Sequence, residues 1–111
     1  MNCLFCKIIQ KEIPTPFIFE DENCVAFRDI NPQASTHVLI IPKKHVEKLA
    51  DTTSEDKNLL GHLLNIATNV AKKEKITDYR LVINNGAEAG QSVWHLHLHL
   101  LGGRLFSLHP G

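Results

Sequence analysis

The chain has 111 residues, 43% of them hydrophobic, and its twelve Lys and Arg balance twelve Asp and Glu. That length makes one domain, 1–111, with a modest core, and the zero net charge excludes a nucleic-acid-binding stripe or an electrostatic membrane anchor, which leaves small molecules or a second copy as partners. No apolar run reaches the ~20 residues of a membrane-spanning helix, no basic segment followed by an apolar stretch opens the chain, and three cysteines are too few and too odd for a disulfide framework, so a cytoplasmic protein with reduced thiols is expected.

No repeat or linker interrupts the sequence. Residues 4–11 fit a short helix ending before Pro14, with Leu4, Phe5, Ile8 and Ile9 as its apolar side. Residues 17–19 and 24–28 read as two strands of a hairpin around the acidic turn Glu20-Asp21-Glu22-Asn23. Asn31-Pro32-Gln33 breaks the chain, and 37–41 form a β-branched third strand that Pro42 stops.

Residues 54–73 carry the strongest helical pattern. Leu59, Leu63, Ile66 and Val70 make one apolar row and Leu60, Leu64, Ala67 and Ala71 a second beside it, with Lys72, Lys73 and Lys75 near the negative end of the helix dipole. One row can cover the domain's own sheet. The other predicts a homodimer packed through this helix, unless one thick core takes both rows. Strands at 79–84 and 97–101 complete an α+β domain of about five strands and two helices on a mainly antiparallel sheet.

The chemistry concentrates in His95-Leu96-His97-Leu98-His99-Leu100-Leu101. A strand turns successive side chains to opposite faces, so the three imidazoles point one way, about 6.6 Å apart, and the leucines point into a core. The preceding loop, 84–92, is rich in Asn, Gly and Ser, a composition that exposes backbone N–H groups and can cradle an anion, and Ser92 brings a hydroxyl near the imidazoles. Three roles compete for the histidines. They can form a three-histidine catalytic zinc site, although no carboxylate base lies within the motif; they can each tie to a backbone carbonyl as structural groups; or the middle one can attack phosphorus, with its neighbours and the loop amides holding the oxygens where charge develops.

His95 to Leu101 has the alternating signature of the histidine triad (HIT) superfamily. Gly90-Gln91-Ser92-Val93-Trp94 before it and Gly102-Gly103-Arg104 after it resemble the Hint branch, as do Lys7-Ile8-Ile9, Glu12-Ile13-Pro14, Ala26-Phe27-Arg28-Asp29-Ile30 and Ile41-Pro42-Lys43-Lys44-His45, so that nearly the whole chain is covered. The resemblance implies a HIT-like α+β fold that dimerises into a continuous two-subunit sheet. It also implies a purine nucleoside phosphoramidase that hydrolyses the P–N bond of nucleoside 5′-phosphoramidates, of the AMP-amine type, through a nucleotidyl intermediate on His97. His99, Ser92 and His37 would complete the catalytic group. Asp29 would receive the ribose hydroxyls, Phe5, Ile8, Phe27 and Ile30 would form the slot for the base, and Asn84, Gly90 and Gln91 would surround the phosphate. Catalysis would need no cofactor. A dimeric nucleotide-binding regulator with incidental hydrolysis, or a dinucleoside polyphosphate hydrolase, stands as the alternative.

Two departures qualify the likeness. Leu108 stands where many Hint proteins carry a C-terminal tryptophan, which puts the leaving-group preference in question. Cys3-Leu4-Phe5-Cys6 is shared by only some bacterial relatives, in which two thiolates, a histidine matching His45 and one matching His95 hold a structural zinc. The alternative is a pair of reduced thiols.

Overall fold

A computed structural model describes residues 2–107. Cys3 caps the first helix, α1 (Leu4–Ile9), its Sγ accepting the Cys6 N–H at 3.4 Å, and the helix buries Phe5 and Ile8. It stops two residues short of the expected end. Lys11 turns the chain with a left-handed φ of 63°, and Leu4 points outward, about half exposed.

Strand β1 (Phe19–Glu20) lies slightly later than the sequence pattern placed it and pairs with β2 (Cys24–Arg28). The turn between them is fixed by Asp21, whose Oδ1 accepts the N–H groups of Asn23 and Cys24, each at 2.8 Å. Strand β3 (Thr36–Pro42) is buried along its whole length. A 3-10 turn at Ser54–Asp56, closed by a capping box between Thr53 and Asp56, leads into α2 (Lys57–Lys73), so the first turn of the expected helix is wound more tightly than the rest. Strands β4 (Tyr79–Val82) and β5 (Leu98–Gly102) complete an antiparallel sheet of order β1-β2-β3-β5-β4.

Two apolar layers sit on the two faces of this sheet. Alternation sends Cys24, Ala26, Val38, Ile40, Leu98 and Leu100 toward α2, and Val25, Phe27, Leu39 and Ile41 toward α1. Leu96 joins the α2 side, so the division of histidines from leucines holds as expected. Strand geometry does not extend through the whole motif, however: β5 begins at Leu98, and His95 and His97 precede the ladder. The two-row reading of α2 is revised as well. Buried Leu63, Ile66 and Val70 come from one row and Ala67 and Ala71 from the other, so a single core takes most of both; Leu64 alone of the second row lies in the open, 46% exposed. No helix among the described residues is long and apolar enough to cross a membrane. Leu108 lies outside the described residues.

Candidate functional site

On the α1 side of the sheet a cleft of about 560 Å³ brings together Phe5, Ile8, Phe27, Asp29, Ile30, His37, Ser92, His97 and His99. These come from α1, the end of β2, the start of β3, the 84–92 loop and the approach to β5. Register explains the convergence: Leu39 of β3 pairs with His99 of β5 and with Phe27 of β2, which sets these side chains in one row across the sheet. The apolar wall is well packed, with Phe5 edge-on to Phe27 at 5.8 Å and to the His97 ring at 5.1 Å. Ile30 also lines the cleft but is 91% exposed.

The hydrogen bonds assign a tautomer to each imidazole. His97 Nδ1–H donates to the His95 carbonyl at 2.7 Å, which leaves His97 Nε2 with a free lone pair. The Gln33 backbone N–H donates to His37 Nδ1 at 3.0 Å, so His37 carries its proton on Nε2 and presents it to His99 Nδ1 at 2.9 Å. His99 is thereby left with a proton on Nε2. One ring of the adjacent pair is an electron-pair donor at Nε2 and the other a proton donor there, with ring centroids 4.9 Å apart. Burial lowers the pKa of His97 and His37, and burial followed by the neighbouring His97 and His37 pushes His99 down to about 4, so all three are neutral near pH 7. Asp29 uses one oxygen to accept the Asn31 N–H at 2.9 Å and holds the other 3.4 Å from His37 Nε2.

The ring of His95 takes no part in that chain, only its carbonyl. It is wholly buried, donates Nε2–H to the Pro42 carbonyl at 2.8 Å, and turns Nδ1 toward His45 Nδ1 (3.1 Å), Cys3 Sγ (3.5 Å) and Cys6 Sγ (3.6 Å), while Cys6 Sγ lies 3.3 Å from His45 Nδ1. These four ligand atoms lie within 4.8 Å of one another. Tetrahedral zinc with bonds of about 2.1 Å to nitrogen and 2.3 Å to sulfur has edges of roughly 3.4 to 3.8 Å, so the donor set and its spacing fit that ion. The carbonyl on the far nitrogen of His95 is the usual outer partner of a metal-bound imidazole. By contrast the three triad nitrogens aim at different partners, so they do not share one point as a catalytic three-histidine zinc site requires.

The remaining expected residues divide. Asn84 lines an adjoining cavity of about 380 Å³, which shares His37, His99 and Gln33 with the main cleft. Gly90 holds a left-handed φ of 102° against the Asn84 side chain. Gln91 is buried and spends its amide bracing the loop, donating Nε2–H to Glu47 O and Val93 O and accepting the Gly86 N–H, so it borders neither cavity. Two residues that reasoning from sequence passed over have clear places. Gln33 sets the His37 tautomer through its backbone, a role no side-chain pattern signals, and Arg104 Nε donates to the Gln33 carbonyl at 2.9 Å while its guanidinium stacks on Phe106 at 4.1 Å. Arg104 directly follows the Gly102-Gly103 pair, which was a signal in the sequence.

The sheet thus aligns imidazoles of fixed and opposite tautomer beside an apolar cleft, with a carboxylate at its rim. The HIT domain family matches residues 10–106, and the chain belongs to that family. It is 59% identical over 111 residues to an uncharacterised HIT-like protein of Synechocystis sp., covering 99% of this chain and 97% of the relative. Among solved structures it is similar to a HIT family hydrolase from Legionella pneumophila (53% identity, TM-score 0.96, covering 99% of this chain and 100% of that one). It is also similar to a histidine triad nucleotide-binding protein from Candida albicans (34% identity, TM-score 0.81, covering 99% and 87%).

Proposed function

We propose that the protein is a nucleotide hydrolase acting on purine nucleoside 5′-phosphoramidates through a nucleotidyl intermediate on His97. The observation that carries this reading is the 2.7 Å bond from His97 Nδ1–H to the His95 carbonyl, because it reserves Nε2 for attack and stabilises the cation that attack creates on the ring. In the first step Nε2 bonds to the α-phosphorus, the P–N bond breaks, and the amine departs with a proton drawn from solvent and passed on by the Ser92 hydroxyl. In the second step water attacks the same phosphorus, the bond to Nε2 breaks, and nucleoside 5′-monophosphate leaves as the remaining proton passes to solvent. The Nε2–H of His99 holds a non-bridging oxygen as charge builds. Phe5, Ile8, Phe27 and Ile30 form a slot for a base, and the Asp29 carboxylate is the acceptor suited to ribose hydroxyls. The hydrolase and nucleotide-binding descriptions of the two structural relatives support the same class.

The chemistry uses no metal ligand. Zinc, if held by Cys3, Cys6, His45 and His95, would take four protein ligands and would supply folding stability rather than an activated hydroxide. The same reading places the protein in the cytoplasm as a homodimer that extends its sheet through the β4 edge, since β4 pairs with β5 on one side and its four residues are each only partly buried. The deciding experiment is mass spectrometry of the protein during turnover of an adenosine 5′-phosphoramidate. A nucleoside monophosphate adduct on His97 is expected. Turnover without any adduct, undiminished in His97→Ala, overturns the proposal.

A further inference from the structure

The cysteine–histidine cluster and the nucleophile meet at one peptide. The carbonyl of His95 accepts His97 Nδ1–H at 2.7 Å, and the N–H of the same peptide unit, belonging to Leu96, donates to the Val46 carbonyl at 2.7 Å. A trans peptide is planar and rigid, so tilting it on one side moves the acceptor on the other. Both anchors of this plane adjoin the cluster: His95 is a member, and Val46 follows His45, another member, with the two Nδ1 atoms 3.1 Å apart. Two neutral imidazoles that turn lone pairs toward each other at that distance repel unless a proton or a cation lies between them. The third contact is Phe5, held in α1 between Cys3 and Cys6, whose ring packs against both His95 (6.0 Å) and His97 (5.1 Å).

We propose that a cation bound by Cys3, Cys6, His45 and His95 acts as a positional clamp on His97, fixing the 95–96 peptide so that His97 stays in the Nδ1–H tautomer with Nε2 free to attack. This rests on the zinc reading above and deepens it, for a site that only stabilised the fold would leave the His97 tautomer unchanged. His95 is in these terms a positioning residue: its carbonyl reaches the nucleophile, and its ring reaches the metal. Loss of the cation leaves the Leu96 N–H to Val46 carbonyl bond as the remaining tie between these segments, so the 95–96 peptide is held less firmly and His97 then samples the Nε2–H form, which cannot attack phosphorus.

The test uses full-length protein with 15N-labelled histidine, reconstituted with Zn2+, then stripped with a chelator, with metal content measured at each stage. Long-range 1H–15N correlation spectra read the ring tautomers, and single-turnover kinetics read the rate of His97 nucleotidylation. Stripping should convert His97 from one tautomer to a mixture and slow nucleotidylation by about tenfold or more, as loss of outer-shell order commonly does, and added Zn2+ should restore both. Exchange of Zn2+ for the larger Cd2+ in the folded protein gives a second reading that does not depend on the stripped form staying folded; the His97 ring resonances should shift with those of His45 and His95. One zinc per chain with unchanged His97 resonances in both experiments overturns the clamp and leaves the structural zinc standing. No stoichiometric zinc, with His97 already in a single tautomer, overturns both.

Discussion

Two groups of imidazoles lie a few ångströms apart in this protein and are built for opposite charges. Around His95 and His45 the ring Nδ1 atoms converge with two sulfurs, and the His95 proton is turned away to the Pro42 carbonyl. Around His37, His97 and His99 the nitrogens form a directed line, Gln33 N–H to His37 to His99, which ends in a proton facing a cleft. The first arrangement suits a cation and the second an anion with an electrophilic centre. Residue type and burial are nearly the same in both; His95 and His97 are both buried and burial lowers both pKa values. The difference lies in which backbone group each ring meets. One carbonyl or one amide settles the tautomer, and the tautomer settles the chemistry.

That contrast breaks most sharply at His97. Replacing it with Ala should lower nucleotidyl transfer by at least ~10³-fold, the scale lost when a covalent nucleophile is removed, while isothermal titration with AMP still detects binding and zinc content stays at one per chain. His45→Ala should lose zinc first and slow nucleotidyl transfer only as far as removal of the cation does. Full turnover by His97→Ala would remove the nucleophile from this group and leave the contrast without its catalytic half.

The cation site is sharpened by stability. A ligand present at about a hundred times its dissociation constant stabilises the folded state by about 2.7 kcal/mol, and each kcal/mol raises Tm by roughly 4–8 °C in a domain near this size. Calorimetry with and without a chelator should therefore show a fall in Tm of about 10 °C or more. The same treatment of a Cys3→Ser, Cys6→Ser protein should do nothing. Serine keeps an oxygen at the Cys3 cap position, so that variant preserves the start of α1 while removing both sulfurs.

The anion site makes its own demand on pH. His37 and His99 have pKa values below the 6.5 of a free imidazole, His99 near 4, because burial disfavours the charged ring in each. The unfolded chain therefore binds more protons than the folded one between about pH 6.5 and pH 4. Stability from these two groups is complete above pH 6.5 and is lost as pH falls toward 4. An NMR titration should find the His99 ring neutral at pH 5.5, and the urea midpoint should fall between pH 7 and pH 5. A His99 resonance that titrates near 6.5 would mean the ring is better solvated than the cleft implies.

Much of this was readable from residues alone. Alternation in 95–101 separates histidines from leucines correctly because both the strand and its extended approach keep side chains on opposite faces. The apolar periodicity of α2 and the β-branched run of β3 locate those elements within a residue or a turn. What could not be read is directional. Nothing in His-Leu-His-Leu-His tells which ring nitrogen carries the proton, since that depends on the carbonyl of His95, the amide of Gln33 and the carbonyl of Pro42, which every sequence supplies alike. The width of the α2 stripe could not be apportioned either: Ala67 and Ala71 of the second row are buried in the domain's own core, while Leu64 of the same row is 46% exposed.

The smallest effect separates packing from binding within the cleft itself. Phe27 and Ile30 both line it, yet Phe27 is 4% exposed and Ile30 is 91% exposed. Phe27→Ala removes a buried ring that meets Phe5, and should cost about 3–5 kcal/mol of stability, which obscures any role in binding. Ile30→Ala removes a side chain that buries almost nothing in the free protein, so stability should change by no more than about 0.5 kcal/mol. Its apolar surface leaves water only when a base covers it. Full burial of an isoleucine is worth about 1.5–3 kcal/mol, and covering one side of it roughly half that, so the AMP dissociation constant should rise about three- to tenfold with the nucleotidylation step itself unchanged. An unaltered dissociation constant in Ile30→Ala would mean that the base lies elsewhere along the cleft, and the slot would then be a wall of the core with one exposed residue at its edge.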